Sequence, residues 1–397
     1  MFSKFKKLIK NNENLLSLYV HWPYCESKCP YCDFNSHVNE TIEIKKWIKS
    51  YKNQMTSMKN ELVKRNISFK NLNTIFFGGG TPSLMPVEIV ESIITLSDHI
   101  FGFCDDIEIS LEANPSSYDS KRFKNFNRAG VNRLSIGVQS LNNKYLEFLG
   151  RLHKIEDIEI SLKDASNTYE NISVDFMYAF HGQNLNDWSN ELKSFLNANN
   201  LQHLSLYQLT IEEGTKFFKD HKNGLINIID NDTAAEFYKI SNELLNDYSF
   251  YNYEVSNYAK SGFKCRHNLN YWNSENWIGI GPGAYGRLWT SDLYKNRIEY
   301  QNYKNPKTWL SKNLYQTEFE KITSLNNYVS DTDTLSMGLR LYDGINISKL
   351  SNKSIINSNS LKVLQDKNIV SFKNDILKVN KKHMLKLNSI LNYLINS

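Results

Sequence analysis

The chain of 397 residues carries 47 Lys and Arg against 42 Asp and Glu, a formal charge of +5, and five cysteines. So even a balance lacks the concentrated basic face of a dedicated nucleic-acid binder, and so few thiols, odd in number, argue against a disulfide framework. No apolar run reaches the roughly 20 residues of a membrane span, and the N-terminus lacks the apolar core of a secretory signal; a cytoplasmic protein of two or three domains is expected.

In chain order, the leader MFSKFKKLIK is basic and weakly amphipathic, so it offers a peripheral contact with acidic lipid, although a solvated terminus is the simpler reading. Strand-length apolar runs then alternate with helix-like stretches. LLSLYVHW precedes a helical pattern at 43–63, and NTIFF, ending before Gly78, precedes one at 86–99. DIEISLEANP and NRLSIGVQS follow, then a helix at 155–165, NISVDFMYA, a helix at 185–196, and HLSLYQLT. Six such units predict an α/β fold, a partial (β/α)6 barrel over residues 1–290. WIGIGPGAYG, at 277–286, reads as its closing turn. Beyond Pro306 prolines cease. The tail, 291–397, is expected as a smaller, mostly helical, winged-helix-like module: helices at 327–339, 345–350, 360–365 and 382–394, with a hairpin at 368–380. Its scattered lysines suit a packing or partner role and no nucleic acid.

Three cysteines, Cys25, Cys29 and Cys32, stand at C-x3-C-x2-C spacing directly after the first strand. Structural zinc usually takes four ligands, often in C-x2-C pairs, and no second pair is present; a zinc-stabilised binding module stays open as an alternative. Cubane iron-sulfur clusters normally take four thiolates. Three would leave one iron free for a small molecule. Barrel sites form at the C-terminal ends of strands, and there the sequence places FFGGGTP (76–82), Glu112, Gln139, Arg151 and Asp175. Singly, each is as well explained as a turn, a cap or an ion pair.

This cysteine spacing is the signature of the radical S-adenosylmethionine (SAM) superfamily. Almost the whole chain resembles its oxygen-independent coproporphyrinogen III oxidase group. The resemblance implies a [4Fe-4S] cluster on Cys25, Cys29 and Cys32, an external electron donor, and SAM chelating the open iron, cleaved to a 5′-deoxyadenosyl radical. It implies SAM contacts from Tyr19, Tyr31, Gly79, Gly80, Thr81, Glu112, Gln139, Arg151 and Asp175, with Tyr24, Tyr31 and Phe34 shielding the cluster. One departure is YAFHGQ from Tyr178, where the family often has a Gly-Leu-Pro turn. Phe34, the run CDFNSH and the short leader resemble the heme-chaperone branch, the HemW family, whereas the oxidase branch has a further cysteine at the Phe34 position. CRHNLNYW (265–272) holds H-N-x-x-Y-W, which that branch associates with heme: His267, Asn268, Tyr271 and Trp272, with Arg266 for a propionate and Cys265 as a further ligand. The implied task is heme binding and delivery to respiratory heme proteins, without oxidase activity. The alternative is oxidative decarboxylation of porphyrinogen propionates. Dimerisation is left open.

Overall fold

The computed structural model describes residues 16–38, 41–116, 121–290, 296–315 and 317–395; the leader at 1–10 lies outside them. Six parallel strands follow in order: β1 (Leu16–Trp22), β2 (Leu72–Gly79), β3 (Phe103–Ala113), β4 (Arg133–Gln139), β5 (Asn171–Tyr178) and β6 (His203–Gln208). Helices Ile44–Lys64, Val87–Phe101, Ile155–Ser166 and Leu185–Ala198 run between them, as their periodicity predicts. In the first, Trp47, Tyr51, Met55, Met58 and Leu62 are buried at spacings of three and four, the single stripe by which an amphipathic helix sits on a sheet.

The sheet continues where the sequence suggested a closing turn. Residues 277–286 span most of β7 (Asn276–Ile280), parallel to β1, then a tight turn and the start of β8 (Tyr285–Trp289), antiparallel to β7. With β9 (Arg297–Gln301) and β10 (Lys321–Leu325), the described sheet has 12 strands, and the expected division at residue 290 falls within it. At the other edge β6 pairs with the short strand Asn257–Ala259, not with β7, so the barrel is unclosed.

A second apolar core, including Leu335, Leu339, Ile345, Leu377 and Leu394, underlies the C-terminal module. Helices Asn327–Gly338 and Ser358–Asp366 and the hairpin Val370–Lys373/Ile376–Val379 form as expected, whereas the helix expected at 382–394 is a 3-10 stretch, Lys381–Lys386, followed by the α-helix Leu387–Leu394. Residues 345–350 do not form the expected α-helix: Ile345–Asn346 adds a third strand to the hairpin, and a 3-10 turn follows. The pairing aligns Ile345 with Leu377, burying both. No helix among the described residues is long and apolar enough to cross a membrane.

Candidate functional site

The cysteine loop leaves β1 at Trp22 and is clamped from three sides. The backbone N–H of Gly80 donates to Trp22 O at 2.7 Å and that of Thr81 to Tyr24 O at 2.9 Å. Tyr24–Cys25 pairs in parallel with His37–Val38. From the third side, the Asn35 side-chain amide donates to Pro282 O at 3.0 Å and Lys304 O at 2.9 Å, so the glycine-rich turn after β7 braces this loop. A Cβ on Gly80 would lie 2.6 Å from Tyr24 O, and Gly79, at φ +115°, has the His21 ring equally close. The glycines thus let two protein segments meet, and the Gly80 and Thr81 amides expected to face a ligand are already engaged with the cysteine loop.

All three thiols line one cavity of about 390 Å³. Around it stand Tyr31, Gly79, Gly80, Thr81, Glu112, Gln139, Arg151 and Asp175, together with Asn114, Ser135, Met177 and Tyr207, which the sequence reading missed. Strand alternation would have found them, since Asn114 shares a face with Glu112, Ser135 with Gln139, and Met177 with Asp175. Tyr19 is absent from the lining. Its ring stacks on Phe76, and its hydroxyl pairs with His21 Nδ1 at 3.0 Å. Of the aromatics expected to shield the thiols, Tyr31 lines the cavity beside Phe217, whereas Tyr24 turns away onto Trp22 and Trp47; Phe34 lines the cavity but is 59% exposed.

Two acids meet at the cavity floor. Ser135 Oγ donates to both Asp175 oxygens, at 3.1 and 3.3 Å. Burial, then the nearby Asp175 charge, pushes Glu112 up to about 8, against the Gly79 N–H and Arg133. Burial also raises Asp175, with Ser205 and Arg133 acting in the opposite sense. Such a dyad holds a proton near neutrality and ionises when a cation enters.

Arg151 joins the barrel rim to the thiols: Nη1 reaches Cys29 Sγ at 3.8 Å, and Nη2 donates to Asn114 Oδ1 at 2.5 Å and Gly137 O at 3.0 Å. Gln139, next to a register shift at the end of β4, takes φ +68°. Left-handed backbone at a non-glycine residue is strained and recurs at ligand sites. The unusual YAFHGQ turn leaves Asp175 in the lining, but Ala179 sits at φ +64°. Ala179→Gly is therefore expected to stabilise the fold by about 1 kcal/mol, measured as a higher urea midpoint at unchanged slope.

The H-N-x-x-Y-W segment lies elsewhere. Helix Arg266–Trp272 packs at the opposite, N-terminal end of the barrel strands, where the His267 and Arg266 amides donate to Glu108. His267 is 1% exposed, with Nδ1 on Thr74 Oγ1 at 2.7 Å and Nε2 on Tyr271 OH at 2.8 Å. Because Thr74 donates to Ser17, it accepts from Nδ1–H, which leaves Nε2 to accept from Tyr271. Burial, with Arg133 nearby, pushes His267 down to about 3, so it stays neutral. The expected heme ligand thus has no free nitrogen in this fold. Arg340 lies over the Trp272 ring, Asn268 is half-buried on the same helix, and Arg266 pairs with Asp106. Cys265, fully buried on Glu108, is pushed up to about 12 by burial.

The cavity's donor set fits a [4Fe-4S] cluster. Cys104 and Cys265 lie outside the lining, so the cavity offers three thiols and no fourth.

Comparison with known proteins agrees. Residues 19–194 match the model of the radical SAM superfamily. The mitochondrial radical S-adenosyl methionine domain-containing protein 1 of Dictyostelium discoideum is 34% identical, over 95% of this chain and 94% of its own. The heme chaperone HemW of Synechocystis is 32% identical, over 84% of this chain and 79% of its own. The structure of the Escherichia coli coproporphyrinogen III oxidase HemN, a radical SAM enzyme, superposes with a TM-score of 0.76 over 99% of this chain and 93% of that one at 17% identity, a likeness of fold. The chain belongs to the radical SAM superfamily and, within it, to the HemW family.

Proposed function

We propose that the protein is a heme chaperone: it binds heme as cargo and passes it to heme-requiring respiratory proteins, holding a [4Fe-4S] cluster through Cys25, Cys29 and Cys32 with SAM beside it. The observation that carries this reading is the meeting of three thiols and two acids in one cavity, in a chain of the HemW family. When bound, the cluster would supply the single electron that cleaves the sulfonium bond. The protein's own part is to position and insulate. Glu112 and Asp175 offer negative charge to a ligand ammonium, Gln139 offers an amide, and Tyr31 and Met177 give apolar wall. An electron donor and a cytoplasmic site of action belong to the same reading.

Anaerobic reconstitution tests it. About four irons and four sulfides per chain are expected, with heme bound and released to an apo acceptor protein. Incubating the reduced protein with SAM and coproporphyrinogen should give no vinyl product; decarboxylation at useful turnover would replace the chaperone by an oxidase.

The Glu112 proton gives a second check. Folded, Glu112 keeps its proton up to about 8, whereas unfolded it loses it in the ordinary glutamate range. Between those limits the folded state binds more protons, so this group makes stability fall as pH rises. Binding a cationic ligand has the opposite sign, because it favours the ionised acid. SAM affinity is expected to rise by up to about tenfold per pH unit towards 8 and then level, with proton release visible by calorimetry in buffers of different ionisation heat. Equal affinity at pH 6 and 8 would contradict it.

A further inference from the structure

Between the 390 Å³ cavity and a second pocket of about 290 Å³ runs a wall of five residues that line both: Ser27, Cys29, Thr81, Asn114 and Arg151. Asn114 is its keystone. Its Oδ1 accepts from Arg151 Nη2 at 2.5 Å, and its Nδ2 donates to Thr81 Oγ1 at 3.4 Å. A guanidinium can only donate, so the amide orientation is settled: oxygen to Arg151, nitrogen to Thr81. The Thr81 oxygen is then an acceptor on that side, and its proton is left for the Cys25 sulfur, which lines the same cavity. At the other end Arg151 Nη1 faces Cys29 Sγ. One amide sets the donor direction of two groups aimed at two different sulfurs.

We propose that Asn114 is a positioning residue for the cluster: through Thr81 and Arg151 it fixes hydrogen bonds to the Cys25 and Cys29 sulfurs and so raises the cluster's reduction potential. This rests on the reading of the three thiols as cluster ligands. The chemistry is general. Hydrogen bonds to cluster sulfurs stabilise the extra negative charge of the reduced state, which is one of the protein's means of setting potential.

The test is an anaerobic redox titration of the reconstituted, full-length protein, read by visible and electron paramagnetic resonance spectra. Asn114→Leu, nearly isosteric, removes both amide bonds, and Thr81→Val removes the hydroxyl aimed at Cys25. Each is expected to hold a full complement of iron and sulfide while its midpoint falls. A tenfold loss in the reduction equilibrium corresponds to ~59 mV for one electron. Asn114→Asp separates positioning from packing. A carboxylate accepts from both neighbours, so Thr81 turns its proton away from Cys25, and adding Thr81→Val to this variant should shift the potential no further, although Thr81→Val alone does. Equal midpoints in wild type, Asn114→Leu and Thr81→Val overturn the proposal; should Asn114→Leu fail to fold, an unshifted Thr81→Val does so by itself. If wild type takes up no cluster, the cluster reading fails and this inference goes with it, a result distinct from an unshifted potential.

Discussion

Replacing Gly80 by valine is expected to abolish iron-sulfur uptake although no sulfur donor is replaced. The Cβ it introduces would lie 2.6 Å from Tyr24 O, 2.9 Å from Tyr24 C and 3.0 Å from Cys25 Sγ, and two of these atoms are backbone, which cannot rotate away. Nor can Gly80 retreat, since its own N–H and that of Thr81 are tied to Trp22 and Tyr24. The strain is relieved only by moving residues 22–25, and that carries Cys25 out of register with Cys29 and Cys32. Overpacking of this sort costs about 1–3 kcal/mol. The clash is confined to the rim of the barrel, far from the second core, so the chain stays folded by circular dichroism while iron and sulfide analysis after anaerobic reconstitution falls towards background. Wild-type iron content in the folded variant would show that the glycine run does not hold the cysteine loop in place.

The barrel was legible because its strands obey local rules. Apolar runs rich in β-branched and aromatic residues, several of them ended by glycine or proline, marked β1 to β6 within a few residues of their observed bounds. Strand ends then located the cavity, where Glu112, Gln139 and Asp175 converge with the thiols. What stayed hidden depends on partners distant in sequence. The pairing of β9 with β8 and β10 gives β10 its place, although Lys321–Leu325 is mostly exposed and has no apolar alternation to mark it. The base of the barrel is polar, with Glu108, Arg133 and His203 buried together, and no periodicity reveals that a charged residue points inward.

The role of Gly79 and Gly80 was half legible. Glycines permit close approach, which the sequence implied, but what approaches is the carbonyl of Tyr24, a neighbour only after β1 and β2 have paired. Asn114 went unassigned because a single asparagine after a strand is an ordinary turn residue. Its meaning arises when Arg151, 37 positions away, supplies a donor-only partner.

His267→Ala is expected to cost about 2–4 kcal/mol of stability and to leave any bound-heme spectrum unchanged. The ring packs on Phe76 at 5.1 Å and joins Thr74, 193 positions away, to Tyr271. Removing it leaves a cavity and takes one partner each from the buried Thr74 hydroxyl and the half-buried Tyr271 hydroxyl, both recognised sources of destabilisation. The C-terminal module seals the same helix from outside, with Lys349 Nζ donating to Asn273 O at 2.8 Å and Arg340 over Trp272, so the alanine variant should also become more sensitive to proteolysis. Since stability loss alone could lower heme binding, Tyr271→Phe gives the cleaner comparison. It removes only the O–H that occupies Nε2, at a cost of about 1 kcal/mol, and leaves the imidazole lone pair free. Were His267 a heme ligand held in reserve by Tyr271, this variant would bind heme more tightly and gain an imidazole-type spectrum. A helix that serves as the barrel's lower plug predicts instead unchanged heme affinity in Tyr271→Phe, a lower denaturation midpoint in both variants, and an undisturbed cluster at the far end of the strands.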